Sequence, residues 1–79
     1  MTVKEAEKLL KIDYYVNRVD MVSESKNYFI FAIVPIGSTG ELSNPLHHPT
    51  AVEKKTGRII AFNPMRVSKD ELRSIKRIR

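Results

Sequence analysis

The run Tyr28-Phe-Ile-Phe-Ala-Ile-Val-Pro35 constrains this chain more than any other stretch. It is dense in aromatic and β-branched residues and stops at a proline, which reads as a strand. Along a strand, side chains alternate between two faces. Phe29, Phe31 and Ile33 point one way, and Tyr28, Ile30, Ala32 and Val34 point the other. Both faces are apolar, so both need cover, and the strand belongs in the centre of a sheet. If two short helices fail to cover both faces, the bare one becomes a surface for self-association.

The rest of the chain supplies partners for that strand. With 79 residues it forms one domain, residues 1–79, with a small core. Thr2 and Glu5 have the spacing of a capping box, and Val3, Ala6, Leu9 and Leu10 then form one apolar helical face ending near Lys11 or Ile12. Tyr14 to Val22 predicts a second strand, with Tyr15, Asn17, Val19 and Met21 facing inward and Tyr14, Val16, Arg18 and Asp20 outward. Thr50–Lys54 and Arg58–Phe62 predict a hairpin around Lys55-Thr56-Gly57, where Gly57 suits a type I turn followed by a bulge. Asn63-Pro64 ends it. Ser68 and Glu71 form a second capping-box pair, with Val67 and Leu72 at the positions of a hydrophobic staple. Leu72, Ile75 and Ile78 give the last helix its packing stripe. The expected fold is α+β: an N-terminal helix, an antiparallel sheet of three or four strands, and a C-terminal helix.

Few residues invite chemistry. No cysteine is present, which removes disulfides, thiolate metal sites and a thiol nucleophile. His47-His48 lies in the long segment from Ile36 to Pro49, but adjacent imidazoles rarely address one ion and Glu41 is the only acid nearby. Ser43 has no orienting acid, and Gly37-Ser-Thr-Gly40 lacks the Lys-Ser/Thr of a phosphate loop. No cofactor, metal or enzymatic activity is expected. The longest near-apolar run is far below the roughly 20 residues that span a bilayer. The N-terminus has no signal-peptide pattern, so the expectation is a cytoplasmic protein without a membrane partner.

Charge is the remaining signal. The net charge is +5, and nine of the 14 Lys and Arg fall in residues 51–79. On a continuous last helix, Lys69, Arg73, Lys76 and Arg77 share one side, with Arg66 before it and Arg79 after it. These six are the candidate surface for a partner or for nucleic acid, and Lys54, Lys55 and Arg58 add charge at the hairpin. The aromatic interleaving of a single-strand binder is missing from this stretch.

The segment Pro49-Thr-Ala-Val-Glu-Lys-Lys-Thr-Gly-Arg-Ile-Ile-Ala-Phe-Asn63 resembles the P-x-x-V-D-K-x-T-G-x-I/V hairpin of the immunity protein 35 family, associated with polymorphic toxins. A related hairpin occurs in PepSY domains, linked to protease inhibition. The order is similar too: an opening helix with Glu5-Ala6, an aromatic strand, then the hairpin. Glu53 stands where the pattern has Asp. The resemblance implies a binding or inhibitory protein without catalysis and transfers no functional residue. The expected function is a non-enzymatic protein-binding module, an immunity-type or phage-encoded inhibitor. The alternatives are a small basic nucleic-acid-binding protein and a subunit that works as a homodimer.

Overall fold

The computed structural model describes residues 1–36 and 49–79. Helix α1 (Val3–Leu10) opens on the full capping box: Thr2 Oγ1 accepts from the Glu5 amide at 3.2 Å, and the Glu5 carboxylate accepts from the Thr2 amide. Val3, Ala6 and Leu10 face the core, while Leu9 stays 43% exposed. The strands are β1 (Asn17–Glu24), β2 (Tyr28–Pro35), β3 (Thr50–Glu53) and β4 (Ile59–Ala61); helix α2 (Lys69–Arg73) and strand β5 (Lys76–Arg77) follow. Every pairing is antiparallel and the order is β4-β3-β2-β1-β5, so β2 is central as its sequence requires.

Both faces of β2 are covered. Phe29 and Phe31 join Ala6, Val22 and Val52 under α1. On the other face Ile30 packs with Ala51 and Phe62, and Val67, Leu72 and Ile75 close over them. Burying a side chain such as Phe31 stabilises by about 2–3 kcal/mol, so each face contributes to the core. The bare face on which self-association would rest is therefore taken, because the segment from Phe62 to Ile75 folds back across the sheet.

Four local expectations differ. The first strand begins at Asn17, because Asp13 turns the chain: its carboxylate accepts from the Tyr15 amide and its carbonyl from the Val16 and Asn17 amides. The predicted inner set of β1 is split by a bulge at Asp20. Val19 pairs with Ile33 on the α1 face, but after the extra residue Met21 pairs with Ala32 on the opposite face and Val22 takes the core position against Phe31. The last helix stops at Arg73, capped by Ser74, and the chain re-enters the sheet as a fifth strand beside Ser23 and Glu24, leaving Ile78 41% exposed. The second capping box is one-sided: Ser68 Oγ accepts from the Glu71 amide, but the Glu71 carboxylate goes elsewhere.

The hairpin is as expected. The Gly57 amide donates to Glu53 O at 2.8 Å and Glu53 N to Arg58 O at 2.8 Å, with Gly57 at φ +75°. That positive φ is what favours glycine here; a Cβ on Gly57 would sit 3.3 Å from Leu9 Cδ1, the end of an exposed side chain that can shift by a few tenths of an ångström.

Candidate binding surface

Glu71 organises one end of the sheet. It is 4% exposed, and its carboxylate accepts from Ser25 Oγ at 2.6 Å, the Asn27 amide at 2.9 Å and Asn27 Nδ2 at 2.9 Å. A buried carboxylate needs such donors, and here they all come from the β1–β2 turn. Ser74 tightens the same junction. Its hydroxyl donates to Glu71 O at 2.6 Å and accepts from the Lys26 amide at 2.8 Å. The Lys54 amide donates to Asn27 O at 2.9 Å, which brings in the hairpin turn. Three segments far apart in sequence are thus fixed side by side.

Each contributes a lysine. Lys26 from the β1–β2 turn, Lys54 from the hairpin and Lys76 from β5 rim a depression of about 340 Å³, with Glu24, Ser25 and Ser74 between them. Among the described residues Glu24 is the one acid in this lining. It accepts from Lys54 Nζ at 2.6 Å, and this bond, with the charges of Lys54 and Lys76, holds its carboxyl below the usual carboxylate range. Lys54 Nζ also sits 4.9 Å from the Phe29 ring centroid, which fixes its position. Lys26 and Lys76 have no ion pair among the described residues. With Glu24 in the lining and the Glu71 carboxylate beneath Ser25, the three lysines still leave the rim with an excess of positive charge.

The six basic residues expected on one helical stripe are spread over several elements. Lys69 and Arg73 lie on α2, one turn apart. Lys76 and Arg77 are consecutive on β5, opposite Glu24 and Ser23, and so point to opposite faces. Arg66 borders a separate depression with Asn27, Tyr28 and Glu71. Arg79 turns to the far side and pairs with Glu7. Only Lys76 of the six joins the three-lysine rim. Lys54 belongs to the hairpin charge visible in the sequence; Lys26 is not visible there, because its convergence with Lys54 and Lys76 depends on Glu71 and Asn27, 44 residues apart, and no local pattern records that.

A wider depression of about 420 Å³ lies along α1, lined by Lys4, Lys8, Lys11, Glu7, Ile12 and Tyr14. Its lysines are the solvent row that any helix packed by its opposite face presents. Glu7 is the tie point there, accepting from Tyr14 Oη at 2.5 Å and pairing with Arg79. The Tyr14 bond, then Arg79, lowers the Glu7 carboxyl, and the same bond raises the Tyr14 phenol.

Among the described residues no group of three or more His, Cys, Asp or Glu is placed to hold a metal ion. His47, His48, Ser43, Glu41 and the Gly37–Gly40 stretch lie outside the described residues. Among the described residues no helix is long and apolar enough to cross a membrane. No family model, curated protein or solved structure matches the chain.

Proposed function

We propose that this chain is a small non-enzymatic binding protein that docks an acidic patch of a partner protein on the rim of Lys26, Lys54 and Lys76, as an immunity-type or phage-encoded inhibitor would. The observation that carries this reading is the convergence of three lysines from three locked segments on one depression whose lining, among the described residues, has one acid, Glu24. Lysines on fixed backbone lose less freedom on binding than lysines on a mobile tail. Complementary charge also steers an acidic partner toward the site.

The test is capture from the native host. The parent protein is expected to retain one stoichiometric acidic partner, and Lys26→Glu with Lys76→Glu is expected to release it while keeping the parent's circular dichroism. Capture that the double variant leaves unchanged removes the rim from the reading. The second reading, nucleic-acid binding, is favoured by the basic residues crowded into 51–79. It predicts a mobility shift with DNA or RNA at low salt that Arg73→Glu with Arg77→Glu weakens, with a shallower salt dependence. That result without a protein partner replaces the first reading.

A further inference from the structure

The two edges of the sheet are built differently. At one edge β5 is two residues long and carries Lys76 and Arg77, both exposed, which is how natural sheets guard against edge pairing. At the other edge β4 reads Ile59-Ile60-Ala61, and no charged residue occurs from Ile59 through Met65. The backbone of β4 is half used. Arg58 O accepts from Glu53 N, and Phe62 N donates to Pro49 O. Antiparallel strands alternate inward and outward backbone groups. Residues 58, 60 and 62 therefore face β3, and the N–H and C=O of Ile59 and Ala61 face away from the sheet. Among the described residues no backbone bond in a turn, loop or cap reaches those outer groups. Ile59 is 48% exposed and Ala61 is exposed.

We infer that the β4 edge pairs antiparallel with the β4 edge of a second copy of this chain. The pattern is its own complement. With Ile60 on the two-fold axis, Ile59 of one copy faces Ala61 of the other, and each such pair exchanges both of its N–H···O=C bonds. The side chains brought together are apolar, so no like charges meet. An edge this short buries less than the roughly 1,200 Å² of a tight interface, so the dimer is weak and forms with rising concentration. This surface is independent of the lysine rim.

The test is mass against concentration by sedimentation or light scattering. The parent is expected to rise from 9.1 kDa toward twice that value. Ala61→Pro removes an outward N–H that no intrachain ladder bond uses, and Ile59→Lys places like charges across the two-fold. Both variants are expected to stay monomeric where the parent is mainly dimeric, with the parent's circular dichroism. Because the chain has no cysteine, Ile60→Cys is expected to give a disulfide-linked dimer under mild oxidation, and Lys55→Cys at the turn is not. A parent that stays monomeric at about 1 mM, where an association worth about 4 kcal/mol is half-populated, overturns the inference. So does a dimer that both variants keep and that Ile60→Cys fails to cross-link. If Ala61→Pro does not fold, Ile59→Lys and the cross-link decide.

Discussion

At the scale of single residues, two glutamates do different work. Glu71 is a buried acceptor whose donors, Ser25 Oγ and the two Asn27 N–H groups, have no other acceptor among the described residues. Glu71→Ala leaves the Ser25 hydroxyl and the Asn27 amide without an acceptor and is expected to cost about 3 kcal/mol, read from the urea midpoint. Glu71→Gln keeps one acceptor oxygen and is expected to lose about half as much. Glu7 instead sets a pH dependence with Tyr14. The Glu7 carboxyl is lowered, so its contribution is present above the ordinary carboxylate range and is lost as pH falls through its folded value. The Tyr14 phenol is raised, so its contribution is present below about 10 and is lost as pH rises through its folded value. Tyr14→Phe is expected to remove the alkaline loss that Tyr14 contributes and part of the Glu7 share of the acid loss, leaving the part Arg79 holds and the share that lowered Glu24 contributes. Urea unfolding of both proteins across pH checks this; parallel profiles contradict it.

At the scale of elements, local chemistry decided which parts were legible in the sequence. The Tyr28–Pro35 strand follows from its composition, α1 from Thr2 and Glu5, and the hairpin from Gly57. The bulge at Asp20 left no local sign, because one extra residue inside a strand flips the facing of every later residue without changing the strand's composition. Deleting Asp20 therefore restores simple alternation between Val19 and Met21 and sacrifices only a surface pair with Arg18, at 2.7 Å. The loss is expected to stay within about 1 kcal/mol. Deleting Ser23 shifts the partners of Val22 and is expected to unfold the chain; thermal melts of the two deletions distinguish them. Strand β5 was equally hidden. Arg73 through Arg77 suits a helix by propensity, and the decision for a strand comes from Ser23 and Glu24, some fifty residues away. For the same reason the basic third of the sequence pointed to Lys54 and Lys76 but not to Lys26, which joins them from the other half of the chain.

At the scale of the whole molecule, the sheet is a meander whose last strand returns to the opposite edge, and the Glu71 junction fastens that return. Amides in a short connection such as Lys26-Asn27 ordinarily exchange with solvent by local fluctuation. Here the Lys26 amide is held by Ser74 and the Asn27 amide by buried Glu71. Neither can open unless the segment carrying α2 lifts from the sheet. In hydrogen–deuterium exchange these two turn amides are therefore expected to be protected along with the strand amides of β1 and β2, and to become fast together in Glu71→Gln. A turn in the N-terminal half then reports whether the C-terminal segment is docked.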